Sequence, residues 1–222
     1  MKLTWELLSL LGIVAFAASG AIIAMEEHYD LFGVAVLGMA AAFGGGVIRN
    51  LFIGHPITTL WSQGLFLNTA LITIVLIYMF PAMWIRKWQP ISSFFDAIGL
   101  AAFSIQGALY AVRMEMPVGV VIFASVATGI GGGVIRDVLA GRKPLVFRDE
   151  IYALWAMLSG IVIGMGWMNG RVGTAALFAV IVALRMLSVY YGWKLPRRTL
   201  VFEREGAAGR RINRAKEEER AL

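Results

Sequence analysis

Seven apolar runs, each close to the roughly 20 residues that a helix needs to cross a bilayer, occupy positions 3–25, 31–53, 65–85, 94–112, 117–140, 151–168 and 172–193. Short polar clusters punctuate them: Glu26, Glu27, His28 and Asp30; Arg86, Lys87 and Pro90; Arg113 and Glu115; Asn169, Gly170 and Arg171. The runs lack the alternating pattern of outer-membrane strands. The pattern therefore predicts an all-α integral membrane protein with seven transmembrane helices and short connections.

Composition strengthens that reading. The 222 residues are 59% hydrophobic and 15% charged, against about 45–50% and about 25% in soluble domains. The 25 glycines sit among Leu, Ile, Val and Phe, so they serve packing or backbone breaks rather than disorder. The formal charge of +6 resides mostly in the tail, where nine Lys or Arg and five Glu follow from Lys194 onward. That is a headgroup-side feature rather than a nucleic-acid surface. Lys2, Arg49, Arg113 and Arg171 fall on one side of the membrane. Arg86, Lys87, Arg136, Arg142, Lys143, Arg148 and the tail fall on the other. The N-terminus is thus expected outside and the C-terminus in the cytoplasm. The first run has an A-x-A look at Ala15 to Ala17, but Glu6 offsets Lys2 and the segment recurs later, so a retained span is expected rather than a cleaved signal. Trp61, Trp84, Trp88, Trp167 and Trp193 lie near span ends, as an interfacial belt would.

The chain matches itself. Gly44-Gly45-Gly46-Val47-Ile48-Arg49 recurs as Gly131-Gly132-Gly133-Val134-Ile135-Arg136, and at the same offset Gly12, Ala15, Phe16, Gly20, Ala21, Ala24 and Gly54 fall on Gly99, Ala102, Phe103, Gly107, Ala108, Ala111 and Gly141. An odd number of spans per copy inverts the second, giving an inverted repeat of three plus three helices, about 3–85 and 94–168. The seventh helix, about 172–193, stands outside it. A channel domain of 1–200 and a charged cytoplasmic tail of 201–222 follow.

Each glycine costs a helix about 1 kcal/mol relative to alanine, so two triplets need compensation. One reading is close packing of small residues. The other is a kinked or broken helix whose unwound carbonyls face a polar pathway. Arg49 and Asn50 follow the first triplet and Arg136 and Asp137 the second. Either these arginines snorkel to the interface, or Asp137 pairs with Arg136 or Arg49 in a charged constriction. Ser19 and Gln106, which are repeat equivalents of each other, Asp96, the equivalent of Ser9, and Thr128 are further polar candidates, with Gln106 and Asp96 the stronger. Phe16 and Phe103 are candidates for a hydrophobic gate or plain core. Arg185 reads as a voltage-responsive or snorkelling charge.

Enzyme signatures are missing. There is no cysteine, His28 and His55 lack metal-ligand spacing, and G-x-S-x-G, H-E-x-x-H and Walker sequences do not occur. No enzyme, resident metal or cofactor is expected.

The paired glycine motifs, the stretch from Arg136 through Gly141 to Pro144, and Asp96 to Phe103 make the chain resemble prokaryotic members of the trimeric intracellular cation (TRIC) channel family, which overlaps a bacterial membrane family also labelled glycine transporter. The resemblance implies seven helices with glycine kinks in the second and fifth. It also implies a homotrimer in the plasma membrane with a pore in each protomer and passive conduction of monovalent cations, K⁺ or Na⁺, with bound lipid as a further partner. By position it makes Gly44 to Gly46 and Gly131 to Gly133 the kinks, and Arg49, Arg136 and Asp137 the polar cluster. This chain is asymmetric where Asn50 replaces the aspartate of the second copy. The alternative is a transporter of a small zwitterion such as glycine, with a helix end on the carboxylate and Asp137 on the ammonium.

Overall fold

The computed structural model describes residues 2–54, 56, 64–80, 91–147, 151–168 and 170–195, with side chains from residue 5. Among them are seven α-helices: α1 (Lys2–Glu26), α2 (Leu31–Ile53), α3 (Gly64–Met79), α4 (Ile91–Arg113), α5 (Val118–Leu139), α6 (Ala153–Gly164) and α7 (Gly170–Tyr191). A 3-10 turn, Leu145–Phe147, follows α5. Five of the helices are long and apolar enough to cross a membrane, while α3 and α6 are shorter. The expected third span ran on to residue 85, and its last part lies outside the described residues, as do Trp61, Trp84, Trp88 and the tail. Trp167 and Trp193 are exposed at helix ends.

The polar punctuation sets the helix ends. Asp30 caps α2, its carboxylate accepting the Gly33 amide at 2.7 Å. Gly54 closes α2 and Gly141 follows α5 with φ of 73° and 68°, a left-handed conformation that glycine adopts without Cβ strain. His28 and Glu115 take φ of 59° and 55° after α1 and α4. Tyr29 N donates to Ala24 O and Met116 N to Ala111 O, the six-to-one bond that satisfies a terminal carbonyl. All three pairs are repeat equivalents, so even the turns are duplicated.

α1 packs against α2, α3 and α4; α4 packs against α1, α5 and α6; α7 lies on α4 and α6. The interface between the copies is reciprocal. Gly12 faces the Phe103 ring and Gly99 the Phe16 ring; Gly44 faces Ile135 and Gly131 faces Ile48. A Cβ on Gly45 would overlap the Thr128 carbonyl oxygen, and one on Gly132 the Ala41 carbonyl oxygen. In both helix pairs the partner's number falls as the residue number rises, so α1 runs antiparallel to α4 and α2 antiparallel to α5. The second copy is therefore inverted onto the first by a pseudo-twofold axis.

Helix assignment is continuous through both glycine triplets. Neither segment is unwound, which corrects the expectation of bared carbonyls. The compensation is close approach: α2 and α5 meet backbone to backbone where no side chain fits. Outside, Leu71, Ile72, Val75 and Leu76 of α3 and Val172, Val180, Leu187 and Tyr190 of α7 are exposed. Apolar faces of this extent suit hydrocarbon rather than water.

Candidate functional site

Arg49 and Arg136 each lie four to five residues beyond the point where the triplets meet, in opposite directions. At 1.5 Å per residue that is about 7 Å on either side of the crossing. Both are buried, at 5% and 1% exposure, which excludes snorkelling. They belong to two separate sites, so the single constriction joining them is not formed.

The Arg136 site is closed and ion-paired. Its guanidinium holds Asp96 of α4 at 2.8 Å, Asp137 at 2.8 Å and the Ser19 hydroxyl of α1 at 2.6 Å. Asp137 uses its other oxygen to accept the Leu145 amide at 3.1 Å, fastening the turn after α5 to the cluster. Gly133 leaves room beside this group for the buried Tyr152 hydroxyl, and Arg185 lies over the Tyr152 ring at 4.8 Å. Arg185 is 1% exposed, so it too does not snorkel. Among the described residues, Asp96 Oδ2 and the Tyr152 hydroxyl are buried without a hydrogen-bond partner. Such atoms are costly in a low-dielectric interior and mark a cluster that is not fully satisfied.

The Arg49 site is its repeat equivalent with the carboxylates removed. Asn50 stands where the other half has Asp137, Ser9 where it has Asp96, and Gln106 where it has Ser19. Arg49 Nε donates to Asn50 Oδ1 at 3.0 Å, and the guanidinium lies over the Tyr110 ring at 4.5 Å. Gln106 donates to the Ser9 hydroxyl, which donates to Trp5 O at 2.9 Å. A cavity of about 300 Å³ opens here, lined by Arg49, Gln106, Ser9, Trp5, Arg113 and Phe103 among others. Thr128 also lines it, but its hydroxyl bonds back to Ala124 O at 2.6 Å, as threonine in a membrane helix commonly does.

Between the sites stand Phe16 and Phe103, ring centroids 5.4 Å apart. Phe103 borders the cavity; Phe16 is fully buried against Gly99 and next to Gly132. The polar candidates thus sort into two ends separated by an aromatic pair. Tyr152, Tyr110, Trp5 and Arg113 were missed as site residues, because aromatic and terminal residues in apolar spans carry no periodic signal of their own. Outside the spans, Arg142 joins Glu26 and Glu27. Partial burial pulls its guanidinium down, but the hydrogen bonds to the two glutamates outweigh this and hold it above its ordinary value. Among the described residues no group of three or more His, Asp or Glu could hold a metal ion.

The sequence model of a family described as glycine transporter matches residues 6–82 and 93–169, one match on each copy of the repeat. The chain belongs to this family. The UPF0126 membrane protein YvgT of Bacillus subtilis is 54% identical over 197 residues, covering 89% of this chain and 98% of that protein. Two solved structures connect the family to TRIC channels. One, described as the structural basis for conductance through TRIC cation channels, is 35% identical with a TM-score of 0.77, covering 89% of this chain and 98% of that one. The other, a crystal structure of a prokaryotic TRIC channel in 0.5 M KCl, is 32% identical with a TM-score of 0.79, covering 88% and 100%. The resemblance read from the glycine motifs is borne out, and the protein is a multi-pass membrane protein with the TRIC fold.

Proposed function

We propose that this chain is a passive channel for monovalent cations, K⁺ among them, with one conduction path in each protomer of a homotrimer. The observation that carries this reading is a line of groups along the interface between the copies, with the Arg49 cavity at one end, two buried carboxylates at Arg136 at the other, and Phe103 and Phe16 dividing them. Asp96 and Asp137 are the anionic groups on that line, and carboxylates in a pore favour cations. The similarity to TRIC cation channels supports the same conclusion. We read this conformation as closed: the phenylalanine pair fills the centre, and Arg136 binds both carboxylates of the acidic end. Opening then consists of parting the rings and loosening Arg136 from Asp96. The excess of Lys and Arg on one side supports an N-terminus outside and a C-terminus in the cytoplasm of a prokaryotic cell. Transport of a zwitterion such as glycine, the substrate in the family's description, has less support, because the solved structures that this chain resembles are described as cation channels.

The test is K⁺ flux into liposomes holding the purified full-length chain, with an impermeant anion, beside labelled glycine uptake. Cation flux that rises in Phe103→Ala without glycine uptake is the expected result. Saturable glycine uptake without ion current overturns it.

A further inference from the structure

The two halves of the molecule provide an internal control on what a buried arginine in this fold requires. At one end Arg136 has two carboxylates at 2.8 Å and is sealed from solvent. At the other end the same fold presents Arg49 with its Nε bound to a neutral amide and its face on Tyr110, and no ion pair among the described residues. Burying a cation without a counter-charge is expensive. In place of the missing aspartate side chain at Ser9 there is a cavity of about 300 Å³. A second cation, Arg113, borders the same cavity with its guanidinium 4.9 Å above the Trp5 ring.

We propose that the Arg49 cavity is a binding site for a small monocarboxylate, whose carboxylate takes the position that the Asp96 carboxylate occupies at Arg136. The planar guanidinium fork matches a carboxylate in geometry as well as charge. Gln106, whose Nε2 keeps a second N–H beyond the one given to Ser9, lines the cavity and can donate to the second oxygen, and Phe103 and Trp5 offer apolar walls to a short alkyl group. The described lining residues include two arginines and no carboxylate, so an ammonium group bound beside the carboxylate finds no counter-charge there. The site therefore prefers a simple acid anion to a zwitterion. The cavity is also one end of the conduction line proposed above, but the carboxylate site is argued from Arg49 and its missing counter-charge and not from conduction.

The experiment is thermal unfolding of the full-length protein in detergent with potassium propionate replacing potassium chloride at constant ionic strength, beside propionamide and glycine. Propionate should raise the midpoint in a saturable way, and neither propionamide nor glycine should do so. Arg49→Gln should weaken propionate binding at least tenfold. Because that variant removes a buried charge and can alter folding, Ser9→Asp is the second arm. It restores in this half the residue found in the other, so it should raise the midpoint in chloride and weaken propionate binding at least tenfold. Equal stabilisation by chloride and propionate, by propionate and propionamide, or by propionate in wild type and Ser9→Asp overturns the proposal.

Discussion

Asp96→Asn tests the closed end of the path most directly. The amide keeps the shape of the carboxylate and can still accept from Arg136 Nη1, now separated by 2.8 Å from an ionised oxygen. What is lost is the charge-assisted part of that bond, because Arg136 retains Asp137 and Ser19. Hydrogen bonds to charged groups contribute about 1.5–3 kcal/mol and neutral ones about 0.5–1.5 kcal/mol, so the difference is about 1–2 kcal/mol. If opening separates Arg136 from Asp96, the loss falls on the closed state alone. The ratio of open to closed channels then rises by roughly 5- to 30-fold. Single-channel recording in planar bilayers with symmetric KCl reads this as open probability, with size-exclusion chromatography confirming that the variant folds. An open probability that is unchanged or lower in a well-folded variant refutes the claim that this ion pair holds the channel shut.

Asp137→Asn should move the reversal potential in a KCl gradient toward zero, because it removes one of two carboxylates on the path; an unmoved potential places cation selection elsewhere. Gly45→Ala and Gly132→Ala should each lower stability by about 1–3 kcal/mol or prevent assembly, because the new Cβ overlaps a backbone carbonyl across the interface. Gly54→Ala, open to space but at φ of 73°, should cost about 1 kcal/mol; thermal unfolding separates the two classes. Arg142→Gln should cost less than about 1 kcal/mol, and less still in high salt, because its pairs with Glu26 and Glu27 are partly exposed.

Much of this architecture was written in local pattern. Seven apolar helices follow from hydropathy, five of them of spanning length among the described residues, and the duplicated Gly-Gly-Gly-Val-Ile-Arg shows which helices are related. The role of the glycines was harder to read, because a triplet in an apolar run suits both a broken helix and a tight crossing. Only the partner helix decides, and Gly45 against Thr128 and Gly132 against Ala41 settle it as a crossing. Adjacency in sequence leaves Asp137 a partner for either Arg136 or Arg49, and the structure gives it to Arg136. The bond from Arg136 to Asp96, 40 residues away, required α4 to lie against α5. The repeat offset did contain a further clue. Aligning Ser9 with Asp96 and Asn50 with Asp137 shows that both acids fall in one copy, which foretells two unlike ends.

Reciprocal packing between the copies carries a consequence for how such a molecule can acquire direction. The surfaces joining α1 to α4 and α2 to α5 have the self-complementary form of an isologous dimer, in which each patch meets its own equivalent. Two separate, identical three-helix units assembled in this way would carry the same residues at both mouths and would be blind to which face of the membrane they met. Fusion into one polypeptide lifts that restriction. Substitutions at Ser9 and Asp96, or at Asn50 and Asp137, then act on one mouth at a time, and a palindromic scaffold becomes able to tell one side of a membrane from the other.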